Sequence, residues 1–309
     1  MSSDLLKKKR GGSAKQNPPP ENLVFRLKNA ILKSRLTFIL HSCMLNFVAV
    51  VPHPPAIIPE IGKSQTALAK KTIKAFADLA QEMKKLQPQT IVIVSPHGPM
   101  RYDKFTVNLE ENLKSNFSAF GEENIAEQTF RSNASLAKKI LLVLRQNFLP
   151  AEPIREEKID YGSMIPLYYL TENLVQKPKL ILLTFNALDW KSHFELGKVL
   201  KTVFDSEQEN IAFLASADLS HRLSESSPAG YSSSGIKFDQ TLIDLLKKND
   251  LEKILHFNPS FCAEVQECGL RSILIALGLL AETPNTFSVL SYESPFGIGH
   301  LVGRWKFRP

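Results

Sequence analysis

Apolar residues after position 44 occur in short uninterrupted runs, and longer segments of helical spacing separate these runs. A run without polar alternation is typical of a strand buried on both faces, as in a parallel sheet. Four such strands are predicted, at residues 45–51, 90–94, 179–185 and 210–216. The pattern therefore predicts a sheet that is covered on both faces.

Apolar positions three and four residues apart predict helices between these strands. The helices with this spacing cover residues 64–86, 135–146 and 190–204, and a fourth at 236–248 follows the last of these strands. A further helix at 269–281 is apolar almost all round and is therefore expected to be buried. Residues 110–130 are polar and irregular, which indicates a loop over a functional site. The alternation predicts an α/β fold, with a central mostly parallel or mixed sheet sandwiched between helix layers, in a single domain over residues 44–309.

The first 43 residues differ in composition from the rest of the chain. They hold nine basic and two acidic residues, which accounts for the whole net charge of +7, and they include KKKR, GG and PPP. The neutral remainder has no electrostatic footprint for nucleic acid. Residues 1–43 are predicted to be a disordered basic leader, or an extension from a start codon assigned too early. N-terminal sequencing of the natural protein distinguishes the two.

Cysteine content and apolar runs restrict the compartment. The chain has three cysteines and no CxxC motif, which argues against a disulfide framework and fits a reducing environment. The longest apolar run, 272–281, is too short to span a bilayer. We expect a cytoplasmic protein with neither nucleic-acid nor membrane partners, and a homo-oligomer is compatible with the sequence.

Three of the predicted buried strands end close to a histidine, although the chain has only seven histidines. His53 and His97 each follow a proline, and Pro54 also biases His53 toward an extended backbone. Either histidine alone would be interpreted as a hydrogen-bonded turn residue. The matched pair predicts a shared metal site, because strand ends of an α/β sheet meet at one edge and neutral imidazole is a common metal ligand.

A further ligand is expected at the start of the apolar helix, where Glu267 and Cys268 are adjacent. Two histidines and Glu267 would match the facial triad of non-haem Fe(II) oxygenases. The softer Cys268 would favour copper or zinc. Adjacent residues at a helix start cannot easily face one ion, so the two are alternatives. A capping role is the other interpretation of Glu267.

Asp218 and His221 form a separate Asp-x-x-His unit after the fourth strand. A carboxylate beside an imidazole fixes its tautomer and raises its basicity, so His221 is a candidate acid/base with Asp218 as its partner. A capping aspartate with a surface histidine is the alternative. His300 follows Gly297-Ile298-Gly299 at a strand start and could line the site.

Five sequence blocks together resemble the class III extradiol ring-cleavage dioxygenases, a superfamily that includes the Memo-like proteins. The blocks lie between residues 50 and 277 and read, in chain order, VVPHPP (50–55), VSPHG (94–98), DYGSMIPLYYL (160–170), SADLSH (216–221) and ECGLRSILIAL (267–277). Each block alone is weak, but the ordered set is fairly specific. The resemblance covers about residues 44–307.

This resemblance implies a mononuclear Fe(II) centre that opens a catechol-like aromatic ring with O₂. It implies that His53, His97 and Glu267 are the iron ligands and that His221 is the acid/base. Asp160 and Tyr161 fall in the block that contacts substrate, where the family usually has histidine in place of the tyrosine; His300 is a further candidate there.

Cys268 leaves a second function open. In the Memo-like branch a cysteine takes the third ligand position, and ring cleavage is not the established role. The alternative is therefore a metal-binding or redox protein without ring-cleavage activity, with copper or zinc as the metal. A zinc hydrolase fits the ligand types, but the chain has no HExxH motif.

Overall fold

A central sheet organises the computed structural model, which describes residues 45–122 and 125–307. The strands, in chain order, are β1 (Leu45–Val51), β2 (Thr90–Ser95), β3 (Phe105–Asn108), β4 (Asn112–Ser115), β5 (Gln128–Arg131), β6 (Ala151–Ile154), β7 (Lys179–Thr184), β8 (Ile211–Ser216), β9 (Asn285–Glu293) and β10 (His300–Phe307). Eight of these described strands form the main sheet in the order β6-β3-β7-β2-β8-β1-β10-β9, and β4 pairs with β5 in a small separate sheet.

The centre of the main sheet is parallel and its margins are mixed. Strands β7, β2, β8 and β1 run parallel to one another, whereas β10 is antiparallel to both β1 and β9, and β3 is antiparallel to β7. Because β2, β8 and β1 are adjacent and parallel, their carboxyl ends meet at one edge of the sheet. Parallel strands of this kind need helices on both faces.

Helices cover the two faces and bury alternate side chains of each strand. The α-helices are α1 (Pro59–Gly62), α2 (Lys70–Leu86), α3 (Ala134–Gln146), α4 (Tyr161–Thr171), α5 (Trp190–Phe204), α6 (Ser233–Lys248), α7 (Leu251–Leu255), α8 (Pro259–Val265) and α9 (Leu270–Leu279). Val92 and Val94 join the core under α3, α5, α6 and α9, whereas Ile91 and Ile93 join the core under α2 and α4. This alternation follows from the two-residue period of a strand.

The predicted fold class is confirmed: the domain is α/β, with a mixed central sheet between helix layers. The predicted loop at 110–130 differs, because β4, β5 and a short 3-10 helix at Ser118–Phe120 lie in it. The leader predicted at residues 1–43 lies outside the described residues. Within the described ranges, no helix combines the length and apolar character that a membrane crossing requires.

Candidate metal centre

His53 and His97 meet at the carboxyl edge of the sheet, two residues beyond the ends of β1 and β2. Their Nε2 atoms are 3.1 Å apart, and their rings lie edge to face with centroids 4.9 Å apart. His53 is buried and His97 is partly buried. The site thus lies where ligands bind in open α/β sheets, beyond the carboxyl ends of adjacent strands.

A serine behind His53 fixes the orientation of its ring. Ser216, the last residue of β8, has its Oγ 2.8 Å from His53 Nδ1, and the same hydroxyl donates to the carbonyl of Gly162. Because the hydroxyl proton is engaged by that carbonyl, Nδ1 of His53 is the donor to Ser216. This tautomer leaves the lone pair of Nε2 directed into the site, as a metal ligand requires.

His97 is held through its backbone and its ring face. Its N–H donates to Ser95 Oγ at 3.1 Å, and Ser95 in turn hydrogen-bonds to Asp160. Asp160 is the N-cap of α4 and also accepts from the backbone N–H and the hydroxyl of Ser163. Burial raises the pKa of Asp160, although these hydrogen bonds act in the opposite direction. Asp160 therefore supports His97 through Ser95. Among the described residues it does not belong to the groups of side chains that could hold a metal ion.

Cys268 brings a sulfur atom to the two histidines. Its Sγ is 3.6 Å from Nε2 of His53, and one ligand atom each of His53, His97 and Cys268 lies within 4.8 Å of the others. The position depends on Gly269: a Cβ there would lie 2.5 Å from Cβ of Ala217 and 2.7 Å from the carbonyl oxygen of Asp218. The glycine therefore lets the start of α9 approach the loop after β8.

Glu267 is used differently. Its carboxylate accepts from the N–H of Leu270 at 2.6 Å, so it caps the first turn of α9. Burial raises its pKa, while the hydrogen bond from Leu270 and the charge of Arg271 act in the opposite direction. Among the described residues, Glu267 is not brought into either group of converging ligand atoms.

Asp218 contacts His53 rather than the histidine in its own motif. Its Oδ1 accepts from the N–H of His53 at 2.9 Å, and its Oδ2 is 3.5 Å from His53 Nε2. Asp218, His221 and Cys268 nevertheless form a second group of ligand atoms within 4.8 Å of one another. Nδ1 of His221 is buried and has no hydrogen-bond partner in the described structure. The expected carboxylate–imidazole hydrogen bond is therefore absent between these two described side chains.

Tyr161 and an adjoining cavity form the outer side of the site. The Tyr161 ring stacks on His97 with centroids 4.1 Å apart, and its hydroxyl is 2.8 Å from Nε2 of His97. Burial raises the pKa of Tyr161 above its usual range. Beside them is a cavity of about 420 Å³, lined by His97, Tyr161, Asn116, Phe120, Lys158 and Met164 among others. Its size and aromatic walls suit a small ring.

His300 lies inside the protein at the start of β10. It is fully buried, and neither ring nitrogen has a hydrogen-bond partner among the described residues. Its ring centroid is 5.6 Å from that of Phe296. Burial lowers the pKa of His300 to about 4, with the charge of Asp218 opposing and those of His53 and His221 assisting.

The donor set fits a transition-metal ion. Burial, assisted by the charge of His221, lowers the pKa of His53 to about 3, and burial lowers that of His97 to about 3. Both imidazoles are therefore neutral at pH 7, which is the ligating form. Burial also raises the pKa of the Cys268 thiol, and the charges of Asp218 and Glu267 add to this effect. A bound cation would reverse that effect and favour the thiolate.

Sequence reasoning missed the residues that hold the ligands. Ser216 and Ser95 are both serines that end otherwise apolar strands, and that position was the available signal. Phe120 lies in the segment expected to cover the site, but no pattern distinguished it from its neighbours.

Comparisons with known proteins give the family of the chain and support its fold. A family model described as the catalytic LigB subunit of aromatic ring-opening dioxygenase matches residues 47–303. Protein CA_C1420 of Clostridium acetobutylicum is 31% identical over 267 residues, which is 84% of this chain and 57% of that protein. The chain thus spans little more than half of that relative's length. The crystal structure of the uncharacterized protein JW3007 from Escherichia coli K12 has a similar fold, with TM-score 0.56, 17% identity, and coverage of 75% of this chain and 91% of that one.

Proposed function

Because the chain belongs to the family of the catalytic LigB subunit of aromatic ring-opening dioxygenases, we propose that it is a metal-dependent redox protein with His53, His97 and Cys268 as ligands. One observation carries the proposal. The sulfur of Cys268 is 3.6 Å from His53 Nε2, whereas the carboxylate of Glu267 is engaged by the N–H of Leu270. Two imidazoles and a thiolate favour copper or zinc, of which only copper would supply redox chemistry, with Fe(II) as the family alternative.

The chain's own residues give the site its character. Ser216 holds His53 in the ligating tautomer, and the stacked Tyr161 covers His97. A redox-active ion bound there would supply electron transfer to or from a small molecule. The adjoining cavity would receive an aromatic ring against a wall formed by Phe120 and Tyr161, whose own rings are in edge-to-face contact with centroids 5.9 Å apart. We also propose a cytoplasmic location, because a reducing compartment keeps the Cys268 thiol available.

Fe(II)-dependent extradiol ring opening of a catechol-like aromatic with O₂ is the second candidate. The aromatic-lined cavity beside His97 favours it, as does the family to which the chain belongs. In this candidate His221 removes and returns a phenolic proton, and Tyr161 hydrogen-bonds to substrate. A thiol in place of the expected carboxylate is the feature that argues against it.

Metal loading followed by a substrate panel distinguishes the candidates. The reduced full-length chain is loaded anaerobically with Fe(II), Cu(I) or Zn(II), desalted, and assayed for retained metal. Cys268→Ser is expected to lower copper affinity at least about tenfold, the scale of losing one good ligand interaction. Glu267→Gln, which keeps an oxygen for the helix cap, is the matched control and is expected to retain copper.

Catechols and O₂ are then added to the Fe(II)-loaded chain, and the yellow ring-opened product is followed by absorbance. Copper retention that depends on Cys268, without yellow product, supports the redox proposal. Fe(II)-dependent product supports the second candidate. If Glu267→Gln loses the metal while Cys268→Ser retains it, the ligand assignment is wrong.

A further inference from the structure

Cys268 belongs to two groups of converging ligand atoms. The first is His53, His97 and Cys268, and the second is Asp218, His221 and Cys268. Within each group the ligand atoms lie within 4.8 Å of one another. Ligands bonded to one ion at about 2.0–2.3 Å are up to about 4.6 Å apart, so the 4.8 Å limit is close to the span of one coordination sphere. We propose that the site holds two metal ions, with the sulfur of Cys268 shared between them.

The second group has donor atoms that the protein leaves available. Nδ1 of His221 is buried without a hydrogen-bond partner in the described structure, and such an atom is costly unless something binds it. The backbone of the same residue is fixed, because its N–H donates to the carbonyl of Val265 at 3.1 Å. The imidazole is therefore held in place by its main chain, while its side chain has a free ring nitrogen.

The two carboxylate oxygens of Asp218 have different surroundings. Oδ1 accepts from the N–H of His53, whereas Oδ2 lies 3.5 Å from His53 Nε2. Asp218 is 3% exposed, and none of the ion pairs in the described chain joins it to a lysine or arginine. A buried carboxylate without a cationic partner is unfavourable, and a bound cation supplies that partner.

The two sets also differ in chemistry. The first offers two imidazoles and sulfur, whereas the second offers a carboxylate oxygen, one imidazole and the same sulfur. Two-metal sites with ions about 3.5–4 Å apart are a recurrent arrangement in enzymes. This inference rests on the proposed metal centre and extends it: Asp218 and His221 become ligands of a second ion, and His221 is no longer the free base of the ring-opening candidate.

Cobalt stoichiometry tests the second site without any assay of activity. The full-length chain carrying Cys43→Ser is titrated anaerobically with Co(II), and the thiolate-to-cobalt absorption in the near ultraviolet is recorded. Bound cobalt is counted by elemental analysis after desalting. The parent is expected to bind two ions per chain. Asp218→Asn with His221→Gln is expected to bind one ion, with the thiolate band retained.

The converse variant separates this inference from the proposed function. His53→Gln with His97→Gln is expected to retain one ion at the second set, and His256→Gln, an exposed histidine, is the control and retains two.

A parent that binds one ion, lost in the His53/His97 variant, would leave the proposed centre standing and overturn the second site. Two ions in the Asp218/His221 variant would overturn it as well. A parent that binds none refutes both. Asparagine keeps the shape of aspartate, glutamine is a polar substitute for histidine, and circular dichroism verifies that each variant is folded.

Discussion

Removal of the Ser216 hydroxyl tests whether His53 is oriented from behind the metal site. The hydroxyl bonds to His53 Nδ1 at 2.8 Å and to the carbonyl of Gly162, so Ser216→Ala leaves both buried groups without this partner. Loss of such an outer partner lowers metal affinity about 10–100-fold, which corresponds to about 1.4–2.7 kcal/mol. We expect Ser216→Ala to weaken Zn(II) binding within that range.

The same substitution has a separate effect on stability. A buried polar group that loses its partner costs about 1–3 kcal/mol of the free energy of unfolding. Affinity is therefore measured on the folded chain, by competition with a chromogenic chelator. The free energy of unfolding of the metal-free protein is measured separately in urea.

Ser272→Ala is the matched control for the serine experiment. Ser272 is also fully buried, but among the described residues its hydroxyl hydrogen-bonds to the carbonyl of Val94, at 3.5 Å, and to no histidine. It should leave Zn(II) affinity within about twofold, a change of about 0.4 kcal/mol. If Ser216→Ala also binds Zn(II) with unchanged affinity while its stability falls, the serine is only a packing residue and our account of the His53 tautomer is wrong.

Three further predictions concern buried groups of the domain. Burial raises the pKa of Asp239 to about 7, against opposing hydrogen bonds from Tyr292 and Ser220 and with the charge of Glu267 assisting. The folded state therefore keeps a proton that the unfolded state loses near pH 4. The free energy of unfolding should fall as pH rises from 4 to 7, by at most about 1.4 kcal/mol per pH unit. Urea unfolding of Asp239→Asn should show a weaker dependence of this free energy on pH, and an equal dependence would contradict the prediction. Gly278→Ala places a Cβ 2.0 Å from the carbonyl oxygen of Phe194 and should cost about 1–3 kcal/mol in urea unfolding, whereas a neutral result would mean that α5 and α9 separate freely. His300→Leu removes two buried unpaired nitrogens and should raise the free energy of unfolding by about 1–3 kcal/mol, and a loss of stability would show that those nitrogens have partners.

The parts of the fold that the sequence predicted are those with a strong local signal. Strands β1, β2, β7 and β8 are uninterrupted apolar runs, and only a position buried on both faces tolerates such a run. Helix α4 was not predicted because it is apolar almost all round and contains Pro166, so it has neither a helical period nor good propensity. Strand β6 is four residues long and contains Pro153, which left no strand signal.

The site was predictable only as far as strand ends determine it. His53 and His97 follow strands of the parallel centre of the sheet, so the topology alone brings them to one edge. Local sequence patterns do not determine the order of the strands in the sheet. For the same reason they could not predict the contact of Asp218 with His53, which joins residues 165 positions apart. The expectation that Asp218 would instead orient His221 depended on their separation of three residues, which places two side chains on one face of a helix. Residues 217–222 form no helix, so the argument from helical spacing does not apply to this segment.

The choice between Glu267 and Cys268 depends on where α9 begins. A helix that starts at Leu270 leaves the N–H of that residue without a partner inside the helix, and Glu267, three positions earlier, satisfies it. That bond turns the carboxylate toward the helix end. Gly269 lies close to Ala217, and Cys268, between Glu267 and Gly269, has its sulfur 3.6 Å from Nε2 of His53. One helix cap thus engages the carboxylate of Glu267 and leaves the sulfur of Cys268 beside His53, and this arrangement is the basis of our proposal that sulfur, not the carboxylate, is the ligand.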